Sequence, residues 1–224
     1  KTSGLNMIVK NEAHVIASTL ENRCHYIPFD YWVIVDTGST DNTKQVICDF
    51  FRDKNINGEL HETEWKNFGF NRSDALIKAY NKTDYLLIFD ADDRIVGDFI
   101  LPTELNLDGY HLKFGDNFSY KRLLLVSNRL HWKFMGVLHE YIICTNENYG
   151  CKFENIEGNY HLISGKSGAR SNNPNKYRDD AIILEQAYHE AQENKDEIMV
   201  RYSFYCAQSY KDAGIPEKSI EWYK

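Results

Sequence analysis

Three aspartates, Asp90, Asp92 and Asp93, directly follow the apolar run YLLIF at residues 85–89. Two carboxylates ~4 Å apart repel each other by about 4 kcal/mol at an effective dielectric of ~20, so each needs a neighbouring cation, a bound proton or open water. Side chains two positions apart in a strand point to the same side, so Asp90 and Asp92 could jointly hold one hard divalent cation. A solvated acidic turn that caps a helix is the alternative.

Polar residues also follow two earlier apolar runs. Lys10, Asn11 and Glu12 come after residues 5–9 (LNMIV), and Asp36 comes after residues 31–35 (YWVIV). In open α/β sheets, ligands bind beyond the carboxyl ends of the strands, where the strand order reverses. We therefore expect these residues and the three aspartates to lie along one edge of a sheet.

The elements that would position these residues alternate along the chain. Apolar runs predict strands at 5–9, 31–35 and 85–89, and the more polar residues 60–65 could form another strand between them. Residues at helical spacing predict a helix after each of the first three strands. This alternation is typical of an α/β fold, with a largely parallel sheet covered by helices on both faces. From residue 110 to about 160, the stretches YHLKF, YKRLLLVS and HEYIIC predict antiparallel additions to the sheet.

Residues 173–224 show helical periodicity after an Asn-rich start. Within them, Tyr210, Gly214, Ser219 and Tyr223 have the spacing of a tetratricopeptide repeat. A single repeat cannot bury its own apolar face, so we expect more repeats after residue 224. We predict one domain at 1–172 and a truncated, tetratricopeptide-like helical segment at 173–224.

Charge and composition exclude several classes of protein. A net charge of −7, without a clustered basic patch, argues against nucleic-acid binding. Five cysteines without a Cys-x-x-Cys pair indicate neither a zinc site nor a disulfide framework, and they favour a reducing, cytoplasmic location. No apolar run approaches the ~18 residues of a membrane span. The chain starts at Lys1 without an initiator Met, which is typical of a fragment.

Several ordered blocks of the sequence resemble family-2 glycosyltransferases with the GT-A fold. The blocks are MIVKNEAHVIASTLEN, VIVDTGSTDNTKQVI, WKNFGFNRSDAL, YLLIFDADDR, FMGVLHEYI, YHLISGKSGARS, NKYRDD and YSFYCAQSYKDAG. The resemblance covers nearly the whole chain. It implies a Rossmann-like mixed, mostly parallel sheet flanked by helices, and a nucleotide-sugar donor, usually a UDP-sugar.

The resemblance also implies a divalent metal that bridges the donor's diphosphate to the Asp-x-Asp motif. The metal ligands would be Asp90, Asp92 and His161, and imidazole favours Mn²⁺ over Mg²⁺. His161 could instead be ordinary polar surface. A metal would screen the carboxylates from the diphosphate and stabilise charge on the leaving nucleotide.

The donor-binding residues implied by the resemblance are Val9, Lys10, Asn11, Glu12, Asp36, Arg72, Asp90, Ala91, Lys166 and Arg170. Asp36 would accept a hydrogen bond from the base or ribose. Arg72 would face the Asp-x-Asp turn, where a guanidinium can bind carboxylate or phosphate bidentately, unless it is a plain surface arginine. Lys166 and Arg170 belong to SGKSGARS, which could close over a diphosphate or remain a solvated loop.

The catalytic base implied by the resemblance is a carboxylate, and the VLHE block offers Glu140, with His139 beside it. A base must come within hydrogen-bonding reach of the acceptor's proton. Three assignments remain open: Glu140 is the base, His139 is the base, or both residues have a purely structural role. The wider family more usually has a Glu-Asp pair at this position, and this chain departs from that pattern.

The function expected is that of a metal-dependent inverting glycosyltransferase, which moves a hexose from a UDP-sugar to a hydroxyl-type acceptor. The acceptor could be a glycan, a lipid-linked saccharide or a peptide. A different class is a non-catalytic sugar-nucleotide-binding module whose helical tail recruits a protein partner. A nucleotidyltransferase is a third possibility. Such an enzyme would require a glycine-rich first loop, and Lys10-Asn11-Glu12 contains no glycine.

Overall fold

Three strand–helix units open the chain. A computed structural model describes residues 1–116, 118–165 and 168–224. The units are β1 (Ser3–Val9) and α1 (Ile16–Tyr26), β2 (Tyr31–Asp36) and α2 (Thr43–Asp53), then β3 (Gly58–Glu62) and α3 (Phe68–Ala79). These strands pair in parallel, because each helix returns the chain to the same end of the sheet.

Eight further strands follow in the described part of the chain. They are β4 (Tyr85–Ile88), β5 (Arg94–Gly97), β6 (Gly109–Phe114), β7 (Tyr120–Ser127), β8 (Trp132–Met135), β9 (Tyr141–Cys144), β10 (Phe153–Asn155) and β11 (Tyr160–Ile163). Among the described residues, nine strands form one mixed, mostly parallel sheet in the order β3-β2-β1-β4-β7-β6-β11-β5, with β10 paired to β6. The remaining two, β8 and β9, form a separate antiparallel hairpin.

The sheet separates two apolar clusters. Alternate strand residues point to opposite faces, so Leu87 joins the cluster beneath α1 and α2, whereas Leu86 joins the cluster beneath α3. The buried Asn6 side chain donates from Nδ2 to the carbonyl of Ala75 at 3.0 Å and ties α3 to β1. Helices therefore cover both faces, as the sequence predicted.

Three helices complete the chain: α4 (Lys176–Glu193), α5 (Met199–Asp212) and α6 (Pro216–Tyr223), after a 3-10 turn at Ala169–Asn172. A third apolar cluster joins α4 and α5 to Leu138. Tyr210 and Ser219 are buried, but Tyr223 is half exposed. The three helices do not establish a tetratricopeptide repeat, and the division of the chain at residue 172 remains a prediction.

The elements differ from the sequence expectation in three places. The third strand begins at Gly58 and ends at Glu62, so it does not span 60–65, and α3 begins four residues before Arg72. β9 pairs with β8 and not with the main sheet. Strands β5, β8, β10 and β11 were not predicted, because they have only three or four residues each and little room for a periodic pattern.

No helix in the described residues has the length and apolar character that a membrane crossing requires.

Candidate active site

The carboxyl ends of β1, β2 and β4 meet at one edge of the sheet. Strand β1 lies between β2 and β4, with Val9 opposite Asp36 and Asn6 opposite Ile88. The chain order reverses here, because β2 lies on one side of β1 and β4 on the other. This is the position at which open α/β sheets form a ligand crevice.

Hydrogen bonds join the loop after β1 to the loop after β2. Asn11 has a left-handed backbone with φ 57°. Its Oδ1 accepts from the backbone N–H of Thr40 at 2.8 Å, and its own N–H donates to Ser39 Oγ at 2.9 Å. The N–H of Glu12 donates to Thr43 Oγ1 at 2.7 Å. The two loops therefore form one fixed rim.

Asp36 is fully buried at the end of β2. Its Oδ1 accepts from the backbone N–H groups of Gly38 at 2.9 Å and Ser39 at 2.7 Å. Its Oδ2 is buried without a hydrogen-bond partner among the described residues. A buried acceptor of this kind costs free energy until a donor reaches it.

Each of the three aspartates after β4 has a different environment. Asp90 has a cation: it pairs with Arg72, and its Oδ2 lies 3.8 Å from Arg122 Nη1. Burial opposes ionisation of Asp90, but the two guanidiniums lower its pKa on balance. Asp92 is partly exposed, and its Oδ2 accepts from the N–H of Gly168 at 2.9 Å.

Asp93 is the aspartate that retains a proton most readily. Its side chain is buried, and burial together with the nearby Asp90 raises its pKa to about 7. Arg23 donates to the backbone carbonyl of Asp93 and stacks on Phe89, with its guanidinium carbon 3.1 Å from the ring centroid. Burial lowers the pKa of Arg23 to about 9. The structure thus supplies a cation to Asp90 and a backbone N–H donor to Asp92, and it buries Asp93, whose pKa is raised.

Arg72 joins two acidic side chains. From α3 its Nη2 donates to Asp90 Oδ1, and its Nε donates to Glu140 Oε1 at 2.7 Å. The side chain of Arg72 is 8% exposed and that of Glu140 is 9% exposed. Burial disfavours the charged guanidinium, but Asp90 and Glu140 raise the pKa of Arg72 overall. Arg72 is therefore a permanent cation and not a surface arginine.

Glu140 and His139 follow the turn after β8, and they face different neighbours. Beyond the Oε1 bond to Arg72, Glu140 Oε2 has no hydrogen bond within the described ranges. His139 has a left-handed backbone with φ 52°, and its ring stacks on Tyr205 of α5 at 4.1 Å. Burial lowers the pKa of His139. The carboxylate of Glu140 therefore has one oxygen available for another group.

Two cavities meet at Arg72 and Asp90. One, of about 550 Å³, is lined by most of the donor-binding residues expected from the sequence: Val9, Lys10, Asn11, Glu12, Arg72, Asp90, Ala91 and Arg170. Asp92 and Thr37 also line it. The other, of about 680 Å³, extends past Asp93 and Glu140 toward α5. We call them the strand-end cavity and the outer cavity.

The glycine-rich loop lies against Asp92. A Cβ added to Gly165 would lie 2.3 Å from Asp92 Cγ, and one added to Gly168 would lie 2.8 Å from Asp92 Oδ2. Only glycine permits this approach. Arg170 lines both cavities and pairs with Asp180 of α4. Lys166, expected to contact the donor, lies outside the described residues.

The residue expected as the third metal ligand does not line the cavity that Asp90 and Asp92 line. His161 lies in β11 opposite Val96 and lines neither cavity. Across the described residues, no three His, Cys, Asp or Glu side chains are grouped as a metal site. Asp90 and Asp92 nevertheless offer carboxylate oxygens to one cavity. Divalent cations at nucleotide sites are commonly held by one or two carboxylates plus substrate phosphates, so this pair fits such an ion.

Sequence reasoning did not single out Asp93, Arg122 or Arg201 for function. Asp93 directly follows the Asp-x-Asp motif, and its position after a strongly apolar run was the available sequence signal. Arg122 in β7 and Arg201 in α5 line the outer cavity. They come from distant parts of the chain and carry no local motif.

Residues 6–108, somewhat under half of the chain, match the family model described as "Glycosyl transferase family 2". No curated protein gives a significant match. Among solved structures, S. aureus TarS 1-349 in complex with UDP is 13% identical, with a TM-score of 0.49, over 99% of this chain and 83% of that chain.

Two other solved structures match a smaller part of the chain. GalNAc-T7 with UDP, GalNAc and Mn²⁺ is 18% identical over 42% of this chain, with a TM-score of 0.38. Glucosyl-3-phosphoglycerate synthase from Mycobacterium tuberculosis, in complex with Mg²⁺ and UDP, is 16% identical over 42% of this chain, with a TM-score of 0.34. The matches span 19% and 34% of those two chains. The segment that carries β1 to β5 and the Asp-x-Asp turn thus matches glycosyl transferase family 2.

Proposed function

We propose that this protein is a metal-dependent inverting glycosyltransferase that moves a hexose from a UDP-sugar to an acceptor hydroxyl. The observation that carries the proposal is the meeting of two cavities at the Arg72–Asp90 pair, with Glu140 on the far side of Arg72. A donor in the strand-end cavity and an acceptor in the outer cavity would meet at that pair. The family-2 match over residues 6–108 supports the same reading.

The donor would lie along the rim formed by the β1 and β2 loops. The buried Oδ2 of Asp36 has no hydrogen-bond partner among the described residues, and Thr37, the next residue, lines the cavity, so we assign this oxygen to the base or ribose of the donor. Lys10 and Arg170 line the same cavity and supply positive charge for a diphosphate. An acidic protein can bind an anionic donor by such local neutralisation.

Asp90 and Asp92 would hold the divalent ion between the protein and the diphosphate. When bound, that ion would neutralise diphosphate charge and stabilise the departing nucleotide. Carboxylate donors suit both Mn²⁺ and Mg²⁺. His161, which would favour Mn²⁺ as a third ligand, lines neither cavity. Gly168 N–H fixes one oxygen of Asp92 and orients the carboxylate.

Glu140 would act as the base. Arg72 fixes its Oε1, which leaves Oε2 to take the proton from an acceptor hydroxyl. The hydroxyl oxygen then bonds to the anomeric carbon while the bond from that carbon to the diphosphate oxygen breaks on the opposite face. The configuration inverts, and the nucleotide leaves with the electron pair. Arg72 holds the Glu140 carboxylate beside the reacting centre.

Donor hydrolysis tests the proposal before the acceptor is known, because water can replace the acceptor. We expect the wild type with Mn²⁺ to release UDP from UDP-glucose, UDP-galactose or UDP-N-acetylglucosamine, and Asp92→Asn to lose that release while it stays folded. The matched control is Asp53→Asn, at an exposed carboxylate in α2. UDP binding without hydrolysis or transfer across broad acceptor panels would instead favour the non-catalytic binding module with a partner-binding tail.

A further inference from the structure

The outer cavity has a charge balance opposite to that of the whole chain. The protein has 33 acidic and 26 basic residues. Among the described residues that line the outer cavity, the acids are Asp90, Asp93 and Glu140, whereas the cations are Arg72, Arg122, Arg170, Arg201 and Lys121. A cavity enriched in arginine within an acidic protein points to an anionic ligand.

Three of these cations already have close carboxylate partners. Arg72 binds Asp90 and Glu140, and Arg170 binds Asp180. Lys121 Nζ lies 2.7 Å from Glu157 Oε1. Their charge is therefore largely compensated within the protein.

Arg201 of α5 has no carboxylate partner in the described part of the chain. Its Nε donates to the backbone carbonyl of His139 at 2.9 Å. Its guanidinium carbon lies 5.0 Å from the ring centroids of both Tyr141 and Tyr205. These contacts hold the guanidinium in place through Nε and two aromatic rings, and neither terminal nitrogen has a hydrogen bond among the described residues.

Arg122 of β7 is the second incompletely paired arginine. Its one ionic contact within the described ranges is the 3.8 Å approach to Asp90, which Arg72 already neutralises. The guanidinium carbon lies 4.9 Å from the Phe114 ring centroid, and no hydrogen bond from this side chain is found among the described residues. Its side chain is 34% exposed to the cavity side. Its donors are therefore also available.

Within the described ranges, Arg201 contacts none of the residues proposed to hold the donor, whereas Arg122 approaches Asp90, where the two cavities meet. Arg72 and Arg170 line both cavities, but Arg122 and Arg201 line the outer cavity and not the strand-end cavity. Their ligand is therefore the molecule that occupies the outer cavity, which at about 680 Å³ has the size of a small-molecule site.

We propose that the acceptor is an anionic saccharide or polyol whose phosphate or carboxylate group is bound by Arg122 and Arg201. This inference rests on the proposed function and specifies its acceptor class. A guanidinium fork matches the paired oxygens of both anions, and the preset position of Arg201 reduces the entropy lost on binding. The anion anchors the acceptor while a hydroxyl elsewhere on it reaches Glu140.

Matched neutral and charged probes test the proposal by calorimetry in the presence of UDP and Mn²⁺. The first set is glycerol and glycerol 3-phosphate. The second set is glucose, glucose 6-phosphate and glucuronate. We expect the charged members to bind about tenfold or more tightly than the neutral ones, which corresponds to at least one charge-assisted hydrogen bond. The phosphate and glucuronate arms distinguish which anion is preferred. Equal affinity for neutral and charged members would overturn the proposal.

Variants assign the effect to the two arginines. Arg201→Gln should weaken the charged probe by about tenfold and leave the UDP affinity unchanged, whereas Arg201→Lys should recover part of the loss. Arg122→Gln should weaken the charged probe by a similar factor. Arg178→Gln, at an exposed position of α4, is the charge-matched control. Loss of UDP affinity in Arg201→Gln would assign this arginine to the donor and overturn the proposal. Absence of UDP binding in the wild type, with anion binding intact, would contradict the proposed function and leave the anion site standing.

Discussion

Arg72 Nε donates to Glu140 Oε1 at 2.7 Å while Nη2 of the same guanidinium donates to Asp90. One side chain on α3 thus connects the turn after β4, on the donor side, to the carboxylate proposed as base. The two acids lie 50 positions apart in sequence and share a single buried cation. In the proposed mechanism, the positioning of donor and acceptor is therefore coupled through one residue.

Replacement of Arg72 should destabilise the protein as well as inactivate it. Arg72→Ala leaves Asp90 and Glu140 without their shared cation, and removal of one partner from a buried pair costs about 3–5 kcal/mol. Urea denaturation measures the change. Arg52→Ala removes an exposed pair with Asp49 and should cost less than about 1 kcal/mol. Equal stability of the two variants would show that the network is not structural.

Glu140→Gln separates catalysis from donor binding. The amide keeps the shape of the side chain but cannot accept the acceptor's proton, so we expect transfer to fall by about 10²–10⁴-fold with little change in UDP affinity. His139→Asn should have a smaller effect on turnover, because the His139 ring packs on Tyr205. A larger loss in the His139 variant would move the base assignment to the imidazole.

Gly168→Ala should weaken metal-dependent UDP binding. The added Cβ would lie 2.8 Å from Asp92 Oδ2, so the loop or the carboxylate must shift away from its present position. Calorimetric titration of UDP in the presence of Mn²⁺ measures the loss. Gly150→Ala is the control, since nothing lies within 4 Å of its Cβ position and its φ is not in the left-handed region. An unaltered affinity in Gly168→Ala would mean that the loop does not shape the site.

Stability should depend on Glu59 in a defined pH range. Hydrogen bonds from Lys82 and Tyr31 lower the pKa of Glu59 to about 2. A depressed carboxyl pKa contributes stability above the unfolded value of about 4.3, and this contribution is lost as the pH falls toward 2. The side chain is 32% exposed, so we discount the effect to about 1 kcal/mol.

Thermal unfolding of wild type and Glu59→Gln between pH 2 and pH 7 measures this contribution. The difference in stability should be largest above pH 5 and should shrink as the pH approaches 2. A difference that grows on acidification would have the wrong sign for the proposed contacts.

The long inner strands were predictable because their physical signal is local. Residues 5–9 and 31–35 are continuous apolar runs, since both faces of β1 and β2 are buried. The polar residues that follow them were likewise expected at the sheet edge. Strand β10 could not be predicted in this way, because its three residues are all exposed and show no alternation.

The arrangement of the site around Glu140 and Arg201 could not be predicted from local sequence. The Arg72–Glu140 bond joins residues 68 positions apart, and Arg201 reaches the site from α5 after the chain has left the sheet. The resemblance drew attention to Arg72 and Glu140 separately, but only tertiary packing shows that they are paired. The same holds for His161, whose distance from the aspartates depends on the register of β11 with β5.

A crystal structure with Mn²⁺ and UDP tests the central claim most directly. The account predicts anomalous manganese density between the Asp90 and Asp92 carboxylates and the diphosphate, with the uridine lying along the rim near Asp36. Manganese or UDP bound elsewhere, with neither aspartate in contact with them, would contradict it.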